Sequence, residues 1–181
     1  MTVTIRLGQL EDVDQAVAVY VRSNLARRNG VWPNQAPRTA QVTRRLGEPD
    51  GWFLIAEDAA NPVGMCAVVP LLADDGAGPP IPGGCFLSLM FVVPERWGQG
   101  IGGRLLDALL AAAARRGCRE IRLWTDETDN ERAHRLYRGR GLAPTGRKWT
   151  NEEGIAVGEW ACELPTSPEP RGSQTRRGRT R

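Results

Sequence analysis

Apolar and polar residues alternate along this chain with two different periods. A spacing of three to four residues is typical of a helix that buries one face, and it predicts helices over residues 9–28, 39–46, 98–116 and 129–139. Period-two alternation and short apolar runs predict strands at residues 3–6, 51–57, 63–72, 85–93 and 119–125, and on either side of "NEEG", residues 151–154. The order β-α-α-β-β-β-α-β-α-β-β predicts an α/β fold with about seven strands and about four helices.

Prolines and glycines mark the boundaries of these segments. We expect a turn at residues 61–62, and Pro70 should end or bulge its strand because proline has no N–H for the ladder. Two turn-rich stretches, residues 29–37 and 73–84, are predicted loops. Residues 85–93 form a nearly continuous apolar run, as expected of a central strand that is buried on both faces.

Four glycines occur within the six positions of "GQGIGG", residues 98–103, directly before a predicted helix. The stretch matches the dinucleotide fingerprint G-x-G-x-x-G, but "PERW" separates it from the strand, and the 55 residues after Asp126 are too few for a doubly wound sheet. A P-loop would need Gly-Lys-Ser/Thr, which is absent. We favour a third interpretation, a pyrophosphate held by the free N–H groups and the positive end of the helix. Glycines let the backbone approach such a ligand closely.

The strand before the glycines ends in "FVVP". Pro94 cannot donate a ladder hydrogen bond, so strand pairing should stop there. If the neighbouring strands diverge at this point, a slot opens beside exposed main-chain groups. A long amide-bearing arm could lie in that slot and pair like an extra strand.

Two blocks, "LSLMFVVPERWGQGIGGRLL" and then "LWTDETDNERAHRLYRGRGL", resemble the GNAT-type N-acetyltransferases, which bind acetyl-CoA. The first is similar to their pyrophosphate-binding segment, and the second to their Asn-x-x-Ala-x-x-Leu-Tyr-x-x-x-Gly-Phe segment. The resemblance covers residues 3–164 and implies a mixed central sheet, splayed after the fourth strand, with acetyl-CoA as co-substrate and no metal. The residues that it implies for cofactor binding are Met90, Phe91, Val92, Trp97, Gly98, Gln99, Gly100, Ile101, Gly102, Gly103, Arg104, Asn130, Ala133 and Tyr137.

The resemblance also implies a mechanism in which an amine attacks the thioester carbonyl directly, since no Cys-His or Ser-His-Asp set is recognisable. The main-chain N–H of Val92 would hold the oxyanion of the tetrahedral intermediate. Tyr137 would protonate the departing thiolate as the general acid. The alternatives are a buried Tyr137 bonded to a backbone carbonyl, and a turn or helix-cap role for Asn130.

Three positions depart from the family pattern. Trp97 occupies a position where Arg or Gln is usual in the family. Anion binding would therefore depend on backbone N–H groups, assisted by Arg96 or Arg104. Leu142 replaces the common Phe. Thr125 occupies the place where several members that acetylate protein N-termini carry a glutamate base, which disfavours a protein substrate.

The attacking amine must lose a proton, and the candidate bases are Glu159, Asp126 and Glu127. Ser88 could hold a water for this transfer, but a core serine bonded to the backbone is the favoured interpretation. His134 is the only histidine, and we expect it on a solvated helix face.

The wall of the acceptor site is expected from residues 29–37, from residues 73–84 and from the hairpin around residues 147–149. Trp32 and Trp149 either flank the acceptor or are ordinary core or dimer-contact residues. The sequence favours neither interpretation.

Positive charge is concentrated at the C-terminus. The chain has a net charge of +3, but residues 166–181 hold five arginines and one glutamate, so residues 1–165 carry a net charge of −1. We therefore expect one acetyltransferase domain over residues 1–165 and a basic, disordered tail over residues 166–181. A nearly neutral domain predicts no nucleic-acid partner, and the lack of a long apolar run predicts no membrane span.

The four cysteines show neither a CxxC pair nor a zinc spacing, so we expect reduced thiols. The N-terminus carries no secretory signal pattern. Together these features predict a cytoplasmic protein.

These features predict an N-acetyltransferase that moves an acetyl group from acetyl-CoA to a primary amine of a small molecule. The alternatives are a non-catalytic acyl-CoA-binding sensor module and a protein or peptide N-acetyltransferase. The lack of an obvious base favours the sensor, whereas Tyr137 favours the enzyme. The expected partner is a small-molecule amine, and a homodimer is compatible with the sequence.

Overall fold

A computed structural model describes residues 2–128, 130–151 and 154–165 of the 181-residue chain. The predicted tail, residues 166–181, lies outside the described residues. The strands are β1 Val3–Leu7, β2 Trp52–Asp58, β3 Asn61–Leu72, β4 Pro80–Val92, β5 Glu120–Asp126, β6 Ala143–Thr150 and β7 Ala156–Glu163. The helices are α1 Val13–Arg27, α2 Gln35–Leu46, α3 Ile101–Arg115 and α4 Glu131–Arg138. The predicted element order is confirmed.

The seven strands form one mixed sheet in the order β1-β2-β3-β4-β5-β7-β6. Neighbouring strands are antiparallel except β4 and β5, which are parallel. A parallel pair needs a crossover, and α3 supplies it between these two strands.

Helices cover both faces of the sheet because successive strand residues point to opposite sides. A Cβ on Gly64 would lie 2.9 Å from the Leu105 side chain, which places α3 on that face of β3. On the opposite face, the Tyr20 ring of α1 packs edge-on against Phe91 of β4, with 5.0 Å between centroids. The apolar faces of α1 and α3 thus bury the centre of the sheet from two sides.

The sheet splays between β4 and β5, as predicted. These strands pair only over Gly84–Phe86 and Glu120–Arg122, although β4 continues to Val92. Pairing of β4 with β3 extends to Val92, and Pro94 then begins a 3₁₀ turn. The remaining length of β4 therefore faces a gap.

Several predicted boundaries are wrong for reasons of backbone chemistry. Helix α2 begins at Gln35 because Pro37 lies in its first turn, where a missing N–H breaks no helical bond. Strand β4 begins at Pro80, inside the predicted loop of residues 73–84, rather than at residue 85. The turn before β3 falls on residues 59–60, both with positive φ, and Asn61 already belongs to the strand. Pro70 bulges β3 without ending it.

Burial along β4 alternates, which corrects the expectation of a strand buried on both faces. Cys85, Leu87 and Leu89 are buried, whereas Ser88 and Met90, which alternate with them, are only partly covered. Residues of both sets line the gap beside β5, because β5 does not pair with this part of β4.

Two of the four cysteines are bonded to each other. Cys85 at the paired end of β4 forms a disulfide with Cys118, which precedes β5, across a Cα–Cα distance of 6.0 Å. The prediction of reduced thiols is wrong for this pair, because β4 and the turn after α3 lie side by side. Cys66 and Cys162 are free, and burial raises the pKa of the Cys66 thiol to about 12.

Among the described residues, no helix is both long and apolar enough to span a membrane. The same part of the chain contains no group of three or more His, Cys, Asp or Glu side chains arranged to hold a metal ion.

Candidate functional site

The glycine segment forms a backbone cradle at the start of α3. Gly98 and Gly100 have φ values of 85° and 77°, a left-handed conformation that residues with a Cβ rarely adopt. Gly100 caps α3, whose first N–H groups have no helical acceptor. A Cβ on Gly100 would meet nothing within 4 Å, so the space in front of this helix end is open.

A cavity of about 630 Å³ lies against this cradle, and we call it the glycine-loop cavity. It is lined by the end of β4, by the start of α3 and by one side of α4. Twelve of the fourteen predicted cofactor-binding residues line it: Met90, Phe91, Val92, Trp97, Gly98, Gly100, Ile101, Gly102, Gly103, Asn130, Ala133 and Tyr137.

The other two predicted residues, Gln99 and Arg104, do not line the cavity. The Arg104 guanidinium donates to the Val3 carbonyl at 2.5 Å, because its position on α3 faces β1. The Gln99 side chain bonds Arg96 and the Glu95 carbonyl. Arg96, which borders the cavity, is in an ion pair with Asp58 and is therefore not a free cation.

Main-chain groups at the end of β4 point into the gap. The Val93 N–H donates to the Val63 carbonyl at 3.0 Å, and Val92 lies opposite Gly64. Because hydrogen-bonded and non-bonded pairs alternate in an antiparallel ladder, the N–H and carbonyl of Val92 point away from β3. The indole Nε1–H of Trp97 donates to this Val92 carbonyl at 2.6 Å.

Three arginines that were not predicted from the sequence line the glycine-loop cavity: Arg27 at the end of α1, and Arg132 and Arg135 on α4. A guanidinium nitrogen of Arg132 would lie 3.6 Å from a Cβ on Gly98, so its charge sits beside the glycine cradle. Arg135 pairs with Glu131 at 3.6 Å, whereas Arg27 and Arg132 form no hydrogen bond or ion pair with the described residues. The only feature of the sequence that pointed to Arg132 was its position next to the motif residue Ala133.

Tyr137 lies where two cavities meet. Its side chain is buried, yet it lines both cavities, and its hydroxyl makes no hydrogen bond with the described residues. The expected alternative, a bond to a backbone carbonyl, is therefore not observed. Burial raises the pKa of Tyr137 to about 12, although the nearby charge of Arg27 opposes part of that rise. The phenol is consequently protonated at neutral pH and can donate a proton.

The second cavity, about 240 Å³, fills the space between the diverging strands, and we call it the strand-gap cavity. Its wall combines polar and apolar residues from β4, β5 and β7 with two arginines at the end of α1. The side chains that line it include Arg27, Arg28, Leu87, Ser88, Leu89, Phe91, Leu123, Trp124, Thr125, Asp126, Asn130, Tyr137, Asn151, Ile155 and Val157.

Asn130 and Thr125 are coupled at the mouth shared by the cavities. The Asn130 Nδ2–H donates to the buried Thr125 hydroxyl at 2.8 Å. Asn130 precedes α4, but its side chain makes no capping bond. Its amide is thus held across the gap by β5 rather than by the helix.

Of the three candidate bases, Asp126 alone lines the strand-gap cavity. Its carboxylate accepts bonds from the N–H and hydroxyl of Thr128, at 2.9 and 3.0 Å. Glu159 is buried beneath β6, where it accepts from Thr145 at 2.8 Å and from Arg147 at 3.2 Å. Glu127 pairs with Lys148.

Two other side chains were given roles from the sequence, and the structure contradicts one of those expectations and agrees with the other. His134 is not on a solvated face: its ring stacks on Trp160 at 5.0 Å, and Nε2 bonds the Asp126 carbonyl at 2.8 Å. Ser88 donates to the Ala67 carbonyl at 3.2 Å, as favoured from the sequence.

The two tryptophans proposed for the acceptor wall lie in different environments. Trp32 is buried and packs edge-on against Tyr20, so it belongs to the core. Trp149 is exposed and packs against Trp124, which lines the strand-gap cavity. The hairpin therefore supports this wall indirectly.

Comparison with known proteins places these features in a family. Residues 15–142 match the model of the acetyltransferase (GNAT) family. The chain is also 29% identical over 120 residues to an aminoglycoside N(6')-acetyltransferase type 1 of Stenotrophomonas maltophilia. That match covers 66% of this chain and 78% of the relative.

Solved structures show the same fold. An aminoglycoside 6'-acetyltransferase of type Ii has a TM-score of 0.69 and 22% identity, covering 91% of this chain and 99% of its own. The PaiA N-acetyltransferase of Thermoplasma acidophilum, solved in complex with coenzyme A, has a TM-score of 0.63 and 17% identity, covering 88% and 98%. The family match spans both motif blocks, the glycine cradle and the helix that carries Tyr137. The chain belongs to the GNAT family of acetyltransferases.

Proposed function

We propose that this protein transfers an acetyl group from acetyl-CoA to the primary amine of a small molecule. The observation that carries the proposal is the meeting of two cavities at Tyr137. One cavity has an anion cradle at its far end, and the other is a small space open to an acceptor. Two substrates placed in them would meet beside a neutral phenol.

The glycine-loop cavity fits CoA. The N–H groups at the start of α3 and the guanidinium of Arg132 would hold the pyrophosphate. The amides of the pantetheine arm would run along the unpaired edge of β4, next to Met90 and Val92. Asn130 and Ala133 would border that arm from α4.

Acetyl transfer then requires one bond to form and one to break. The amine nitrogen attacks the thioester carbonyl, and the Val92 N–H would stabilise the oxyanion. As the tetrahedral intermediate collapses, the C–S bond breaks and the sulfur takes the proton of the Tyr137 hydroxyl. The amine proton leaves to water or to Asp126, the carboxylate that lines the acceptor side.

The acceptor is a small molecule. The strand-gap cavity of about 240 Å³ is smaller than the roughly 300 to 1,000 Å³ typical of drug-sized ligand sites. The position of a glutamate base in N-terminal acetyltransferases is filled by Thr125, whose hydroxyl is bonded to Asn130. The curated relative, an aminoglycoside acetyltransferase, is consistent with a small-molecule amine.

The proposal is tested by incubating the full chain with acetyl-CoA and a panel of amines. We expect thiol release that depends on the amine, with the acetylated product detected by mass spectrometry. Acetyl-CoA binding without thiol release for any amine would instead support the sensor alternative. Acetylation restricted to peptide N-termini would support the protein-substrate alternative.

Replacement of Trp97 tests the unusual residue of the cradle. Trp97→Arg should leave CoA affinity unchanged or tighten it modestly, because a guanidinium can reach the phosphates and the lost indole bond to Val92 is worth about 1 kcal/mol. Calorimetric titration with CoA measures this. A loss of more than about tenfold, roughly 1.4 kcal/mol, would mean that the indole packs on the cofactor. Trp97→Phe removes the N–H donor and keeps a smaller aromatic ring, so it shows how far an aromatic side chain without the hydrogen bond supports binding.

A further inference from the structure

Three charged side chains line the strand-gap cavity among the described residues. They are Arg27, Arg28 and Asp126. The Arg28 guanidinium lies over the Trp32 ring, 5.5 Å from its centroid. Asp126 is bonded to the backbone and side chain of Thr128. Arg27 is exposed and has no hydrogen bond or ion pair with the described residues.

Arg27 lies close to the reaction centre rather than to the phosphate cradle. It lines both cavities and acts electrostatically on the Tyr137 phenol, which also lines both. The part of acetyl-CoA that would lie beside Tyr137 is the thioester and the pantetheine arm, and neither carries a charge. The phosphates would lie at the glycine end of the other cavity, beside Arg132. An anion that pairs with Arg27 must therefore come from the acceptor.

The rest of the cavity indicates the size and polarity of that acceptor. Its wall is mixed: polar and charged side chains line much of it, and Leu123, Trp124 and Val157 form an apolar part. The volume of about 240 Å³ suits a compact molecule. A molecule that carried several positive charges would bring them next to Arg27, which is unfavourable.

Building on the proposed function, we infer that the acceptor is a small amino carboxylate with an apolar body. Its carboxylate pairs with Arg27 in a charge-assisted hydrogen bond, and its side chain contacts the apolar part of the wall, formed by Leu123, Trp124 and Val157. In an α-amino carboxylate the amine is only one carbon away from the anion. This short separation places the nucleophile next to Tyr137, where the thioester would lie.

The test compares matched acceptors at saturating acetyl-CoA. The panel contains leucine, methionine and phenylalanine, the corresponding amino amides, and an aminoglycoside. We expect the wild-type protein to acetylate the amino carboxylates with the highest kcat/KM. In Arg27→Leu, kcat/KM for the carboxylates should fall about 10- to 100-fold, the range for a hydrogen bond to a charged group, while the value for the amides stays within about threefold.

Two variants serve as controls. Arg22→Leu removes the same charge from the same helix, but Arg22 pairs with Glu95 and lines neither cavity, so both acceptor classes should keep their rates. Arg27→Lys keeps the charge and should retain part of the preference for carboxylates. An equal loss for acids and amides in Arg27→Leu would overturn the inference and assign Arg27 to the cofactor. A wild-type preference for amides or for the aminoglycoside would also overturn it.

A binding titration separates this inference from the proposed function. Trp124 lines the cavity, so its fluorescence should report amino-carboxylate binding in the presence of CoA. Suppose that the wild-type protein binds the amino carboxylate, that Arg27→Leu does not, and that no amine is acetylated. This result would reject the proposed function but support the anion site at Arg27. If the protein acetylates amines with a kcat/KM that does not depend on a carboxylate in the acceptor, the proposed function stands and the anion site at Arg27 is rejected.

Discussion

Tyr137→Phe is expected to lower kcat by about 10²- to 10⁴-fold, the usual contribution of general acid catalysis. The substitution removes one hydroxyl that forms no hydrogen bond with the described residues, so the fold should not change. Because burial raises the pKa of Tyr137 to about 12, the wild-type phenol is protonated throughout the neutral range. Without it, the departing thiolate must take its proton from water.

The measurement is steady-state acetylation with saturating acetyl-CoA, together with a CoA titration. CoA affinity should stay nearly the same, because the hydroxyl acts only as the intermediate collapses. Tyr20, the other tyrosine of the chain, provides a matched control: it packs in the core and lines neither cavity, so Tyr20→Phe should keep its rate. If Tyr137→Phe stays within about twofold of the wild-type kcat when chemistry limits the rate, Tyr137 is a packing residue.

Gly100→Asp should weaken CoA binding by at least about 100-fold, or about 2.8 kcal/mol. The new carboxylate would point into the open space before α3, where the pyrophosphate is expected. It would repel the phosphates and compete for the N–H groups of the helix end. Calorimetric titration should show little or no heat, and Gly100→Ala, which adds a Cβ without charge, should have an intermediate effect.

The control for backbone strain lies at the opposite end of the same helix. Gly117 has a φ of 81°, close to that of Gly100, and a Cβ there would also meet nothing within 4 Å. Gly117→Asp therefore introduces the same conformational penalty and the same charge away from the cavities. It should melt no higher than Gly100→Asp, because a carboxylate is disfavoured at the C-terminal end of a helix, and it should bind CoA like the wild type. Wild-type affinity in Gly100→Asp would show that the cradle does not hold the cofactor.

The motifs were predictable from the sequence because they depend on backbone properties. Closely spaced glycines before a helix, and Pro94 after an apolar strand, constrain the chain locally, and the structure has the cradle and the gap where they were expected. The positions of Asn130 and Tyr137 followed from motif spacing on one short helix. Local rules were sufficient for these elements.

Long side chains were not predictable in this way. Arg104 follows the glycines directly but points to β1, whereas Arg27 reaches the cavities from α1, a helix that ends 77 residues before Arg104. The Cys85–Cys118 pair is separated by 33 residues and lacks a recognisable spacing. Each of these contacts depends on how distant elements pack, which a single sequence does not encode in a local pattern.

The splay between β4 and β5 leaves two strand edges inside the sheet rather than at its rim. Exposed edges usually invite pairing with another chain, which leads to aggregation. Here the edges are recessed between cavities bordered by α4 and the end of α1, so a second folded sheet cannot approach them. A narrow, flexible molecule with its own amide groups can enter the gap and pair with these edges. The splay thus offers unpaired main-chain groups to a narrow ligand. The same groups at the rim of the sheet would favour self-association.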